Sequence, residues 1–287
     1  MTHDTVLAAR GLGRRFGRRW ALSDCTLAVP AGRVVGLVGP NGAGKTTLMR
    51  LAVGLLTPTS GTVEVLGHRP GQDAAQLGRV GFVAQDTPTY ANLTVADHLR
   101  LGGWLNARWD RGLAEQRIEQ LGLDPRQRAG RLSGGQRAQL ALTLAVAKRP
   151  DLLVLDEPVA SLDPLARREF LEAINEVATE HGVSVILSSH LVADLERVCD
   201  YVIVLVASRV RVAGTIEDLL ATHHRLVGPR DRPVPAGDVI EARHTDAHTT
   251  LIVRSRPEHP IDDPFWRIEP VSLEDVVLAY MGTEVPS

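Results

Sequence analysis

One glycine-rich run constrains this chain more than any other feature. It follows a predicted buried strand at residues 34–38 and opens a predicted helix at residues 45–56. Its members are Gly39, Pro40, Asn41, Gly42, Ala43, Gly44, Lys45 and Thr46. Such glycines let backbone N–H groups turn inward on phosphate oxygens at a helix N-terminus. Lys45 would add positive charge at the β- and γ-phosphates, Thr46 a hydroxyl for Mg²⁺, and Thr47 a further phosphate contact, so the run predicts a phosphate-binding loop.

Two acidic residues follow a second apolar strand. Residues 152–155 read Leu-Leu-Val-Leu, and Asp156 and Glu157 come directly after them. Both carboxylates are therefore expected at the carboxyl end of a strand, where ligand sites of α/β proteins form. With a phosphate loop upstream, Asp156 is expected to hold Mg²⁺ through water, and Glu157 to orient and deprotonate an attacking water. The alternative is that the two acids cap a helix.

A third motif, Leu132-Ser133-Gly134-Gly135-Gln136, precedes a long apolar helix that extends to about residue 147. Ser133 and the two glycines could form a second anion site at a helix N-terminus, so that one chain would carry two phosphate-binding surfaces. The alternative is an ordinary N-cap followed by flexible glycines.

The composition is that of a globular protein. Of 287 residues, 44% are hydrophobic and 23% are charged, which excludes disordered and collagen-like chains. The net charge of -2 gives no electrostatic reason to expect nucleic acid as a partner. We expect no signal peptide at the start of the chain. The apolar runs are shorter than the roughly 18 residues that a membrane span needs. A membrane role would therefore require another subunit.

The pattern of apolar residues divides the chain in two. Through residues 1–220, short β-branched runs alternate with helical patterns, which predicts βαβ units and a largely parallel sheet. Residues 93–147 carry no strand pattern and are expected to form a helical insertion. Residues 221–287 are expected to form a linker and a small accessory domain. The further predicted strands are residues 62–66, 80–84, 183–187 and 201–206.

The C-terminal part has its own pattern. Residues 225–238 are rich in Pro, Gly and Arg and are predicted to be a linker, while residues 239–244 and 249–255 could pair as a hairpin. In the terminal helix, Ser272 and Asp275 stand in capping-box register. One face of that helix is apolar and is expected either to pack on the hairpin or to form a homodimer contact. This face comprises Leu273, Val276, Val277, Tyr280 and Met281.

Together these motifs resemble the nucleotide-binding subunit of ATP-binding cassette (ABC) transporters over roughly residues 5–220. The resemblance is specific because Leu132 to Gln136 matches the signature sequence of that family and stands between the two nucleotide motifs. It implies an α/β fold of the P-loop NTPase type with a mainly parallel sheet and an antiparallel β portion. A helical insertion would carry the signature, and a small C-terminal α+β appendage would follow.

The resemblance implies roles for three further polar residues. Gln85 would touch Mg²⁺ and the attacking water, His190 would contact the γ-phosphate, and Asp163 would lie in a loop that communicates across a dimer. Taken alone, Gln85 would be an exposed loop residue and His190 a hydrogen bonder at a strand end. Asp163 would equally suit an N-cap.

The chain departs from the family pattern at two places. Phe16 aligns with the aromatic residue, more often tyrosine, that stacks on adenine; a ring face suffices for stacking, and the alternative is a packing aromatic beside Trp20. Between residues 206 and 212 the family usually has a glycine in a tight turn, where this chain has Ala207-Ser208-Arg209. Only the local turn geometry is expected to differ there.

In the family, two such subunits assemble head to tail with ATP between the phosphate loop of one and the signature of the other. The resemblance implies a second copy or a paralogous subunit, a separate transmembrane permease, ATP and Mg²⁺. The expected function is ATP hydrolysis for a bacterial exporter, since residues 272–277 resemble tails of drug- and lipid-exporter ATPases. The membrane partner would place the chain at the cytoplasmic face of the plasma membrane. The alternative is a soluble ABC-type ATPase that acts on ribosomes or DNA.

Overall fold

The computed structural model describes residues 4–86, 89–230, 232–233, 237–246, 248–255 and 264–282. The strands are β1 (Thr5–Phe16), β2 (Arg19–Pro30), β3 (Val34–Val38), β4 (Ser60–Val65), β5 (Val80–Val83), β6 (Leu152–Leu155), β7 (Ser184–Ser188), β8 (Tyr201–Val206), β9 (Arg209–Thr215), β10 (His223–Pro229), β11 (Asp238–His244), β12 (His248–Arg254) and β13 (Arg267–Glu269). The helices are α1 (Lys45–Ala52), α2 (Ala74–Gly78), α3 (Val95–Leu105), α4 (Arg111–Gln120), α5 (Gly134–Val146), α6 (Pro164–His181), α7 (Val192–Val198), α8 (Ile216–Thr222) and α9 (Leu273–Gly282).

A six-stranded sheet forms the centre of the molecule, in the order β5-β6-β7-β3-β8-β9. The first five strands pair in parallel, and β9 pairs antiparallel with β8. Strands β3, β6 and β7 are buried along their whole length, as apolar strands covered on both faces must be. The prediction of an α/β fold with a mainly parallel sheet is confirmed. The carboxyl ends of β3, β5, β6 and β7 therefore meet at one edge.

Two further layers cover the faces of this central sheet. Strands β2, β1 and β4 form an antiparallel sheet, which shares an apolar cluster with α1 and one face of the central sheet. The other face packs on α5 and α6, with Phe170 fully buried between them. Residues 93–147 are all described, and they form α3, α4, a 3₁₀ turn and α5 with no strand among them. The predicted helical insertion is present.

The C-terminal part differs from its prediction at one point. The predicted hairpin is present as β11 and β12, but residues 225–229 belong to β10 and not to a linker. Strand β10 pairs with both β12 and β13, and the buried Leu226 packs with Leu251, Val253 and Trp266. This burial outweighs the Pro- and Arg-rich composition, since Pro229 stands at the strand end, where a missing N–H costs little.

The buried face of the terminal helix α9 packs against other elements of its own chain. Ser272 and Asp275 form the expected reciprocal bonds: Asp275 N–H donates to Ser272 Oγ at 3.1 Å, and Ser272 N–H donates to Asp275 Oδ2 at 3.0 Å. The apolar face of α9 packs on β11 of the hairpin and also on α7, α8 and β8. Its buried side chains join the same apolar cluster as Phe170. The domain division at residue 220 stays a prediction.

The turn between β8 and β9 carries the glycine-free sequence. Ala207 and Ser208 have φ angles of 48° and 67°, a left-handed conformation that L-residues adopt only at a cost. Two hydrogen bonds hold the turn: Ser23 N–H donates to Ser208 O at 2.8 Å, and Ser208 Oγ donates to Trp20 O at 3.1 Å. The hairpin is thus anchored to β2 in spite of its strained backbone.

Replacement of Ala207 by glycine is expected to raise the free energy of unfolding by about 1 kcal/mol, because glycine adopts a positive φ without steric penalty. Chemical denaturation of the full chain measures this. Ser208→Gly is the matched comparison: it gains the same backbone freedom but loses the hydroxyl bond to Trp20 O, so it should gain less. A less stable Ala207→Gly protein would contradict the strain argument.

Candidate functional site

A pocket of about 550 Å³ lies at the edge where the parallel strands end. The side chains and backbone around it come from four loops that follow β3, β5, β6 and β7, and from the end of α9. The lining residues are Gly39, Pro40, Asn41, Gly42, Ala43, Lys45, Thr46, Gln85, Glu157, His190 and Met281. The structure therefore brings together the phosphate loop and three of the catalytic residues predicted with it.

The phosphate loop needs glycine for reasons visible in its surroundings. A Cβ on Gly39 would lie 2.0 Å from Leu205 O, and one on Gly44 would lie 2.4 Å from Ala21 O. Gly44, the N-cap of α1, also has a φ of 109°, which L side chains rarely adopt. Close approach of β2 and β8 thus leaves room only for hydrogen at these two positions, and the loop stays in the shape that opens α1.

Lys45 sits at the base of the pocket. Its side chain is only 6% exposed, and its Nζ donates to Gly39 O at 2.7 Å. The same Nζ lies 3.5 Å from Glu157 Oε1. The ammonium group is therefore held between the phosphate loop and the proposed base. From this position it can attract the terminal phosphates of a nucleotide.

A hydroxyl–carboxylate network links three of the loops. Asp156, only 1% exposed, accepts hydrogen bonds at Oδ1 from Thr46 Oγ1 at 3.2 Å and from Ser188 Oγ at 3.0 Å. Ser188 Oγ in turn accepts from the N–H of Glu157 at 2.8 Å. The predicted magnesium ligands Thr46 and Asp156 are thus adjacent, and hydroxyl and carboxylate oxygens are the donors that Mg²⁺ prefers.

Ser188 was missed as a site residue in the sequence. Its position in the sequence could have indicated a role, because Ser188 directly follows the predicted strand at residues 183–187, just as Asp156 directly follows the predicted strand at residues 152–155. Its role became visible only once β7 was placed between β6 and β3.

Glu157 occupies the centre of the polar groups. Its Oε2 accepts a long hydrogen bond from Gln85 Nε2 at 3.5 Å and lies 3.8 Å from His190 Nδ1. Its backbone φ is 46°, a strained value for a residue with a side chain. The bond from its N–H to Ser188 helps to hold that conformation. The carboxylate is thereby directed into the pocket rather than into a helix cap.

Several predicted nucleotide and magnesium contacts do not line this pocket. Among the described residues these are Phe16, Gly44, Thr47, Ser133, Gly134, Gly135, Gln136, Asp156 and Asp163. Gly44, Thr47 and Asp156 are nevertheless next in the chain to residues that do. Ser133 is the N-cap of α5 in a capping box with Gln136: Gln136 N–H donates to Ser133 Oγ at 3.1 Å, and Ser133 N–H donates to Gln136 Oε1 at 3.0 Å. Asp163 is the N-cap of α6 and accepts from the N–H groups of Leu165 and Ala166. Their roles toward nucleotide stay predictions.

Phe16 is 48% exposed at the end of β1. The guanidinium of Arg14 lies 4.8 Å from the centroid of its ring, and Arg14 Nη1 donates to Thr57 O at 2.9 Å. Arg14 therefore anchors the ring by a cation–π contact. The half-exposed ring keeps surface for stacking, so adenine binding at Phe16 stays a prediction.

Comparison with known proteins identifies the family. The ABC transporter family model matches residues 22–160. The aliphatic sulfonates import ATP-binding protein SsuB 2 of Pseudomonas aeruginosa is 40% identical over 201 residues, which are 69% of this chain and 71% of that protein. The bacitracin transport ATP-binding protein BcrA of Bacillus licheniformis is 30% identical over 201 residues, 69% of this chain and 66% of that protein. The chain therefore belongs to the ABC transporter ATP-binding proteins, a family of ATPases.

Solved structures agree with this family. A structure of the ATP-binding subunit of an ABC transporter has a TM-score of 0.68 with this chain at 29% sequence identity, and the match covers 76% of this chain and 92% of that one. Among the described residues, no helix combines the length and apolar character that crossing a membrane requires.

Replacement of Ser188 by alanine removes the hydroxyl that holds Asp156 and the backbone of Glu157. We expect ATP turnover to fall about tenfold, since a hydrogen bond to a charged group contributes about 1.5 kcal/mol. Steady-state ATPase assays on the full chain measure this.

Ser184→Ala is the matched control for Ser188→Ala. Ser184 is a buried serine on the same strand, but its hydroxyl accepts from Gly32 N–H far from the pocket. This variant should lose stability without loss of turnover. Equal turnover in the two variants would show that Ser188 contributes to folding alone.

Proposed function

We propose that this chain is the ATP-binding and hydrolysing subunit of a bacterial ABC exporter, in which MgATP-driven closure of a dimer acts on a separate membrane subunit. One observation carries the catalytic part of the proposal. Lys45, Thr46, Gln85, Glu157 and His190 line one pocket although they come from four separate loops.

In the proposed mechanism, the N–H groups of the phosphate loop and the ammonium of Lys45 bind the triphosphate. Thr46 and Asp156 would hold Mg²⁺, which supplies positive charge against the phosphate oxygens when it is bound. Glu157 accepts the proton of the attacking water. Gln85 orients that water, and His190 contacts the γ-phosphate. Both side chains lie within 4 Å of the Glu157 carboxylate.

A dimer is proposed because Ser133, Gly134 and Gln136 of the signature are exposed and do not line the pocket of their own chain. Ser133 and Gly134 are at the solvent-exposed N-terminus of α5, which carries a partial positive charge. A second cassette in head-to-tail orientation would place these groups over the phosphates bound by the first. Either a second copy or a paralogous subunit could supply that half-site.

The proposed membrane subunit has an apolar surface available to it. Between the helical insertion and β5 lies a groove of about 530 Å³, and the exposed side chains of Leu55, Tyr90 and Leu105 border it. Strand β5 leads directly to Gln85. A helix of the membrane subunit docked in this groove would therefore be mechanically connected to the pocket, and it would hold the chain at the membrane surface.

The direction of transport is the most specific part of the proposal. The family resemblance of residues 272–277 to exporter tails and the similarity to BcrA, which is named for bacitracin transport, favour export. SsuB 2 is named for import of aliphatic sulfonates. Purification of the native complex, with identification of the membrane protein bound to it, tests the assignment.

Glu157→Gln is expected to bind MgATP, to accumulate as an ATP-bound dimer, and to lose about 100-fold or more in turnover, which is the scale of general-base catalysis. Size-exclusion chromatography with bound-nucleotide analysis and a steady-state assay measure these effects. Glu169→Gln, the same change at an exposed position on α6, should behave as the wild type. Near-wild-type hydrolysis in Glu157→Gln would place the base elsewhere.

A mixed dimer tests the head-to-tail arrangement. One chain carries Lys45→Ala, which weakens nucleotide binding, and the other carries Ser133→Arg, which blocks the signature. One of the two composite sites then contains both lesions, and the other contains neither. Hydrolysis should recover to about half of the wild-type rate, because one of two sites is intact. No recovery, with heterodimers shown to form, would argue against sites shared between subunits.

A further inference from the structure

The end of α9 reaches the nucleotide pocket. Met281 lines it together with the phosphate loop, Gln85, Glu157 and His190, whereas the other lining residues lie between residues 39 and 190. Phe16, the predicted adenine contact, does not line this pocket. The space that Met281 borders is therefore the phosphate end of the proposed ATP site.

Specific contacts hold α9 in this position. His223 Nδ1 lies 2.8 Å from Leu219 O, and His223 Nε2 lies 3.0 Å from the hydroxyl of Tyr280, one residue before Met281. Nδ1 therefore carries the proton, and Nε2 accepts from Tyr280. Burial lowers the pKa of His223, which favours the neutral ring that this bond requires. At the other end of α9, Arg225 Nη2 pairs with Asp275 at 2.5 Å.

The packing of α9 also connects it to the loop that carries His190. One side of α9 packs on α7, which begins at Val192, only two residues after His190. The helix thus approaches the pocket in two ways: through Met281 itself, and through the helix behind His190. The described C-terminal segment is therefore adjacent to the site.

We propose that Met281 forms an apolar wall of the ATP site on the side of the terminal phosphates, so that the C-terminal segment is part of the nucleotide site. This inference rests on the proposed ATP-binding function of the pocket. A thioether brings neither charge nor a strong hydrogen-bond donor, so it borders the phosphates without competing with Lys45 and the loop N–H groups for them. It narrows the space from which bulk water reaches Glu157.

The test replaces Met281 by a charged residue in the full chain. Met281→Glu would place a carboxylate beside the phosphates, and we expect about a tenfold rise in the Kd for MgATP from like-charge repulsion. The rise for MgADP should be smaller, because ADP lacks the γ-phosphate. Isothermal titration with both nucleotides gives the two values. Met281→Lys, of similar length and opposite charge, should bind MgATP at least as tightly as the wild type.

Leu278→Glu is the matched control. Leu278 is 48% exposed on the same helix and lies outside the pocket lining, so the same charge there should leave both affinities unchanged. Equal affinities for Met281→Glu and Leu278→Glu would overturn the proposal. An equal loss of affinity for ATP and for ADP in both Met281→Glu and Met281→Lys would also overturn it, since that pattern indicates a structural role. Failure of the wild-type chain to bind ATP would instead refute the proposed function.

Discussion

The parallel pairing of β6, β7 and β3 is the constraint on which the site depends. Parallel strands end at a common edge, and the register sets Leu37 of β3 beside Ser188 of β7, while Leu155 of β6 lies beside Leu187. Loops that follow these strands therefore emerge side by side, and Asp156 can accept hydrogen bonds both from Ser188 at the end of β7 and from Thr46 after β3. Burial of all three strands on both faces makes a slip in register costly, because it would turn each side chain to the opposite face and disrupt the packing there.

The pocket combines strong polar groups with backbone strain. Lys45 and Glu157 are both largely buried and lie within 3.5 Å of one another, which keeps opposite charges close where a nucleotide would bind. The phosphate-loop glycines adopt a positive φ without a steric penalty, whereas Glu157 holds a positive φ that a residue with a side chain rarely adopts. The surrounding sheet and the bond from Glu157 N–H to Ser188 offset that cost. Ser133 and Gly134, at the start of α5, lie outside this pocket and are exposed to solvent.

The C-terminal segment is also fixed in position by a shared apolar core. Its antiparallel sheet has a small apolar cluster of its own around Trp266, but α9 contributes its buried face to the cluster that also contains Phe170 and Leu187. A helix that shares a core with the nucleotide-binding part has its position set by that core. The pocket is for this reason lined both by residues between positions 39 and 190 and by Met281 of α9.

The sequence by itself determined what depends on local chemistry and spacing. The phosphate loop, the acids after β6, the N-caps at Ser133 and Asp163 and the capping box at Ser272 are all short patterns, and the structure contains each of them. Only the tertiary structure decided that Ser188 supports both Asp156 and Glu157, that residues 225–229 form a strand, and that Met281 lies at the phosphate pocket. These features arise between residues far apart in the chain, and they follow from strand order and from the burial of apolar faces, which no short stretch of sequence specifies.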